Sequence, residues 1–149
     1  LVVANKGGTL IEGCFFGGAM GKRPTEDDPP DVWGGIGGNV YIRSTGKVTI
    51  RNSIFERGLA HLGGGATIIS PSVLLEDCQF RGNRGNGLFS SLGQYGALPG
   101  QELVMRQTVF WSNNGDSGGM LVSSIGALPT LIMEDCLFHE NTASYDGGA

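Results

Sequence analysis

Short apolar stretches recur along this chain, each interrupted within a few residues by charged, turn-forming or glycine positions. Aligned on a phenylalanine, five segments share one pattern: Leu10 to Phe16, Thr49 to Phe55, Leu74 to Phe80, Val104 to Phe110 and Ile132 to Phe138. The second column is always apolar (Ile11, Ile50, Leu75, Met105, Met133) and the third always charged (Glu12, Arg51, Glu76, Arg106, Glu134). Apolar followed by charged is the in/out alternation of a half-buried strand. The fourth column, Gly13, Asn52, Asp77, Gln107 and Asp135, is mostly turn-prone and is expected to bend the wall. Column five is small (Cys14, Ser53, Cys78, Thr108, Cys136), and column seven is Phe16, Phe55, Phe80, Phe110 and Phe138. Both of these point inward again after the bend.

The phenylalanines lie 39, 25, 30 and 28 residues apart. A period that is regular in kind but elastic in length suits a solenoid with fixed wall positions and variable loops. A second element follows each phenylalanine. F-x-x-N occurs at Phe80–Asn83, Phe110–Asn113 and Phe138–Asn141, whereas Phe55 is followed by Gly58. Glycine pairs then open a further apolar run at Gly64-Gly65-Ala66, Gly118-Gly119-Met120 and Gly147-Gly148-Ala149. There glycine is expected to supply backbone angles for a corner. A third element, FSSLG…ALP from residue 89, recurs as VSSIGALP from residue 122. Each repeat therefore reads as strand, corner, strand and loop.

Composition narrows the class. The 149 residues include 27 glycines and 40% hydrophobic but only 16% charged residues, with no long helical period. Many short strands with glycine turns mean a sandwich, a barrel or a β-solenoid. Column identity selects the solenoid, because stacked coils bring like positions together at ~4.8 Å. The strands are then parallel and the crossovers right-handed. The expectation is all-β: a right-handed parallel β-helix of about five coils, one per copy. Uneven coils argue against a left-handed hexapeptide helix, and the calcium-binding nonapeptide is absent in tandem.

F-x-x-N followed by GGA, on repeats carrying C-x-F, resembles the polymorphic outer-membrane protein repeat of chlamydial surface proteins. More broadly, the chain is similar to the pectin-lyase-like right-handed β-helices. The first resemblance implies an exported, surface-exposed passenger acting as an adhesin, so an extracellular or cell-surface location. The second implies polysaccharide binding or cleavage.

Residues 21–34, GKRPTEDDPPDVWG, interrupt the period and read as an inserted loop between coils. Trp33 is its one candidate anchor for a partner. Cysteines fall on alternate copies, ~9.5 Å apart at sheet spacing and beyond the ~7 Å limit for bridging. They are expected to be reduced, buried rungs of a core ladder shared with Ser53 and Thr108. Asp77 and Asp135 share a column at the same ~9.5 Å, close to the upper end of the ~6.5–9.5 Å range of an inverting carboxylate pair. They are the weak catalytic candidates, set against local turn capping. His61 and His139 read as solvated corner residues. Alternating signs along Glu12, Arg51, Glu76, Arg106 and Glu134 read as an outer register device.

No clustered cysteine or histidine motif calls for a metal or other cofactor. A net charge of −4 without a basic stripe speaks against nucleic acid, and no apolar run approaches the ~20 residues of a spanning helix. Residues 1–149 thus read as one β-helix segment, internal to a longer chain, with further protein expected at both solenoid ends. The functional expectation is a structural or adhesive, non-catalytic stalk of a surface protein or assembly. The alternatives are a carbohydrate-binding or carbohydrate-cleaving β-helix and a structural subunit of a multiprotein complex.

Overall fold

In a computed structural model, residues 1–19, 37–92, 100–124 and 128–144 are described. The 21–34 insertion with Trp33 lies outside the described residues, as do 93–99, 125–127 and Gly147-Gly148-Ala149.

The chain winds through five coils of three strands. The first holds β1 (Val2–Asn5), β2 (Thr9–Glu12) and β3 (Phe15–Gly17). The second holds β4 (Val40–Ser44), β5 (Val48–Arg51) and β6 (Ile54–Glu56). Next come β7 (Ala66–Ile69), β8 (Ser72–Glu76) and β9 (Gln79–Arg81), then β10 (Leu88–Leu92), β11 (Glu102–Arg106) and β12 (Val109–Trp111). A short β13 (Asn114–Gly115) precedes the fifth coil of β14 (Met120–Ser124), β15 (Thr130–Glu134) and β16 (Leu137–His139), and β17 (Thr142–Ala143) closes it. Corresponding strands form three five-stranded parallel sheets, ordered β1-β4-β7-β10-β14, β2-β5-β8-β11-β15 and β3-β6-β9-β12-β16. This is a right-handed parallel β-helix.

Columns aligned in the sequence are the columns hydrogen-bonded in space. In the second sheet Ile11, Ile50, Leu75, Met105 and Met133 stand in register, as do Glu12, Arg51, Glu76, Arg106 and Glu134. The third sheet pairs Phe16, Phe55, Phe80, Phe110 and Phe138. Their rings stack with centroids 5.2, 4.7, 4.9 and 4.7 Å apart. Around them pack Ile50, Leu75, Met105, Val40, Ile68 and Leu88 as one continuous interior.

Two left-handed residues shape every coil. Gly13, Asn52, Asp77, Gln107 and Asp135, between the second and third sheets, all have φ between 48° and 61°. So do Gly18, Arg57, Gly82, Ser112 and Glu140, just after the third sheet, at 51° to 70°. Such angles strain side-chain-bearing residues. They persist because coil-to-coil bonding continues through the bends, as in Asp77 N–H to the Arg106 carbonyl at 3.1 Å and Ser112 N–H to the His139 carbonyl at 3.0 Å.

The structure changes two readings of the corners. At Gly65 the constraint is room rather than backbone angle: a Cβ there would lie 2.4 Å from the Gly87 carbonyl oxygen of the next coil, whereas Gly118 does take a left-handed corner angle, at φ 70°. The serine pairs also do not align as text. Ser90 pairs with Val122, Ser91 with Ser123 and Leu92 with Ser124, one residue off the match of FSSLG to VSSIG. The glycine corner sets this register, since Leu88 N–H bonds the Gly119 carbonyl and so places residue 88 beside Met120.

End coils differ from central ones. Met105 is fully buried, whereas Met133 in the same column is 49% exposed, and Phe15, Leu10 and Leu137 are also exposed. Among the described residues no helix is long and apolar enough to cross a membrane.

Candidate functional site

Chemistry on a β-helix must come from the residues its columns turn outward or leave polar within. Three columns prove to be ladders of polar contacts. On the second sheet's outer face Arg51 Nε lies 2.7 Å from Glu76 Oε2, and Arg106 reaches Glu76 at 3.4 Å and Glu134 at 2.6 Å. The hydrogen bond to Glu134 raises the pKa of Arg106 above its ordinary value. Glu12 stands in register beside Arg51 at the end of this column.

Column five has a reason beyond size. Each side chain donates to the carbonyl two residues back, across the left-handed bend. Ser53 Oγ bonds the Arg51 carbonyl at 2.7 Å, and Thr108 Oγ1 bonds the Arg106 carbonyl at 2.9 Å. The thiols of Cys14, Cys78 and Cys136 do the same at 3.3, 3.3 and 3.5 Å. A hydroxyl or thiol therefore suits this slot where valine would not. All three cysteines are free. Cys78 is buried, and burial pushes its pKa from 9.0 to about 11. Cys14 and Cys136, in the first and fifth coils, are only half-buried, so the expected burial holds for Cys78 alone.

The asparagines form the third ladder. Asn83, Asn113 and Asn141 donate to the carbonyls of Phe55, Phe80 and Phe110 one coil back, at 3.0, 2.8 and 2.9 Å. Their side-chain oxygens accept backbone N–H groups of the preceding coil, as from Asn83 to Asn113 at 3.1 Å. Where F-x-x-N fails at Gly58, Asn39 takes over. Reaching in from the other side of the corner, it donates to the Glu56 carbonyl at 3.0 Å and accepts from Ala19 N–H at 3.0 Å. A Cβ on Gly58 would lie 2.8 Å from the Asn39 amide nitrogen, so the two positions exclude each other.

Asp77 and Asp135 occupy exposed left-handed bends two coils apart, with Gln107 between them in the column. His61 lines a shallow depression with Arg84 and Asp116, and neither Asp77 nor Asp135 belongs to that lining. His139 is the last residue of β16 rather than a corner residue, and its Nε2 lies 3.2 Å from Glu140. Among the described residues no group of three or more His, Cys, Asp or Glu could hold a metal ion.

The most developed outer feature is on the third sheet. Strand alternation that buries Phe110 turns Trp111 outward, where it is 47% exposed. Trp111 stands in register with Arg81 and His139. Its Nε1–H donates to Glu140 Oε2 at 2.9 Å, and Ser112 Oγ bonds the same oxygen at 3.2 Å. Those two hydrogen bonds, Trp111 first, hold the Glu140 carboxyl below its ordinary pKa. Arg81 Nε meets Glu56 Oε2 at 2.7 Å. Together Glu56, Arg57, Arg81, Gly82, Trp111 and Ser112 line an open notch of about 370 Å³. The signal was readable: a tryptophan directly after an inward phenylalanine must face out.

Stacked coils with in-register ladders define the chain as a parallel β-solenoid. Its sequence matches the right handed beta helix region family over residues 1–148, and the chain belongs to that family. No curated protein and no solved structure gives a significant match.

Proposed function

We propose that this segment is a rigid, non-catalytic β-helical shaft that serves a surface or extracellular assembly by presenting its outer walls. The carrying observation is that the phenylalanine, small-residue and charge columns each run through all five coils. A coil specialised for turnover would be expected to break such ladders with inward or clustered acids. The repeat resemblance supports an exported passenger at a cell surface. Residues 1–149 are read as one such segment, carrying the 21–34 insertion with Trp33 as its partner anchor. The exposed apolar columns of the end coils, Leu10 and Phe15 at one end and Met133 and Leu137 at the other, suit cover by further protein, from the same chain or another subunit.

Incubation with polyuronides and calcium tests the non-catalytic part. Unchanged polymer length supports the shaft. Unsaturated or new reducing ends would replace it with the carbohydrate-cleaving reading, with Asp77 and Asp135 as the first residues to mutate. A carbohydrate-binding reading without cleavage has its own observation in the Trp111 notch.

A further inference from the structure

We infer that the corner just past the third sheet binds one phosphate monoester between Arg57 and Arg84. This goes beyond the shaft reading and does not depend on it.

Coil stacking brings the two arginines together from separate parts of the sequence. Arg57 follows β6 directly, as Gly82 follows β9 one coil further on, and both are left-handed. Arg84, two residues beyond Gly82, pairs with Leu59 of the preceding coil in an isolated bridge. Its N–H bonds the Gly58 carbonyl at 2.8 Å, which joins the two segments into one floor. Arg57, Gly58, Leu59, Gly82 and Arg84 line a depression of about 370 Å³ there. Gly82 keeps it open, since a Cβ at that position would meet nothing within 4 Å.

The other arginines show what these two lack. Arg51, Arg81 and Arg106 each hold a carboxylate at 2.6 to 2.7 Å. Arg57 and Arg84 are exposed and have none among the described ion pairs. Glu56 is held by Arg81, and Asp116 lines a separate depression with His61 and Arg84. Two uncompensated guanidiniums therefore share one cleft on a chain of net charge −4.

Charge counting selects the ligand. A carboxylate or a sulfate ester, at one negative charge, leaves one guanidinium unmatched. A phosphate monoester carries about −1.5 to −2 at pH 7 and three acceptor oxygens. It can take a guanidinium fork on either side. A nucleic-acid strand needs cations along its whole path, whereas Glu56 and Asp116 flank this corner. Leu59, 38% exposed, adds an apolar contact for the group that carries the phosphate.

The test is titration of the chain with phenyl phosphate and phenyl sulfate, which share a shape and differ in charge. Binding is followed by amide N–H shifts in NMR at roughly 0.15 M salt, where distant exposed charges are screened. Phenyl phosphate should bind at least about tenfold tighter than phenyl sulfate, with shifts gathered at Gly58, Leu59, Gly82 and Arg84. Arg57→Gln and Arg84→Gln should each weaken phosphate at least about tenfold, as loss of a charged hydrogen-bond partner does. Both side chains are exposed and outside the described ion pairs, so the variants should fold. Arg84→Lys keeps the charge without the fork and should fall between parent and Arg84→Gln. Lys47→Gln, between the first and second sheets, should leave binding unchanged. Tighter binding of a phosphoserine peptide than of O-phosphoserine places the phosphate on a protein chain, and equal binding places it on a small molecule. Equal affinity for phosphate and sulfate, an equal loss on Lys47→Gln, or no shift at this corner would overturn the inference. None of these outcomes touches the polyuronide result on which the shaft reading stands.

Discussion

Replacing Phe80 by alanine deletes the middle ring of the internal stack. Phe80 is fully buried and lies 4.7 Å from Phe55 and 4.9 Å from Phe110, centroid to centroid. Truncating a buried phenylalanine costs about 3–5 kcal/mol. Two ring contacts, each contributing about 0.5–1.5 kcal/mol beyond area, place Phe80 toward the upper end. Relaxation is limited because both flanking rings are themselves carried on strands bonded on either side. With a urea m-value of about 2 kcal/mol/M, the midpoint should fall by about 2 M. The assay is urea unfolding followed by far-UV circular dichroism at constant m. Phe138→Ala, in an end coil with one ring contact at 4.7 Å, should cost clearly less. A Phe80→Ala loss below about 1 kcal/mol, against the usual range, would mean that the column does not form the interior.

Four further outcomes follow from the ladders. Native Cys78 should resist thiol reagents while Cys14 and Cys136 react, since only Cys78 is buried; equal labelling of all three would remove its burial. Because folding raises the Cys78 pKa from 9.0 to about 11, its contribution is complete below 9.0 and is lost as pH rises toward 11, which alkaline unfolding of Cys78→Ser against the parent would register. Arg106→Glu places like charges beside Glu76 and Glu134, so the melting midpoint should drop at low salt and recover in high salt; a salt-independent drop contradicts an outer position. Gly58→Asn restores F-x-x-N in the second coil yet should destabilise, because its Cβ would lie 1.9 Å from the Gly64 carbonyl oxygen; stabilisation on thermal unfolding would rule out the Asn39 substitution.

The wall was legible because stacking turns sequence columns into spatial neighbours. Phe80 and Phe110 could be aligned as text because each coil must offer the next the same shape. The left-handed bend at Asn52 and Asp77 announced itself through turn-prone residues. The companion bend at Arg57, Ser112 and Glu140 did not, since coil-to-coil hydrogen bonds rather than local preference impose it. Asn39 was hidden for a related reason: it serves the ladder from the far side of a corner, outside the F-x-x-N spacing. Column five read only as small, whereas its bond to a carbonyl explains why cysteine, serine and threonine share it. The serine pairs misled because similar text can slip by one residue when a glycine corner fixes the register. Trp111 needed only the alternation rule carried one residue past the phenylalanine.

Crosslinking across the charge column tests the coil register most directly. Arg51, Glu76 and Arg106 occupy successive coils of one column. Adjacent positions, ~4.8 Å apart at sheet spacing, fall within the roughly 4.4–6.8 Å that a disulfide spans between alpha carbons. Positions two coils apart, at ~9.5 Å, do not. In a chain with Cys14, Cys78 and Cys136 changed to serine, Glu76→Cys with Arg106→Cys should oxidise to an intramolecular disulfide. Arg51→Cys with Arg106→Cys should remain reduced under the same conditions. A disulfide in the second pair and none in the first would contradict the stacked-coil register on which the fold, the ladders and the notch depend.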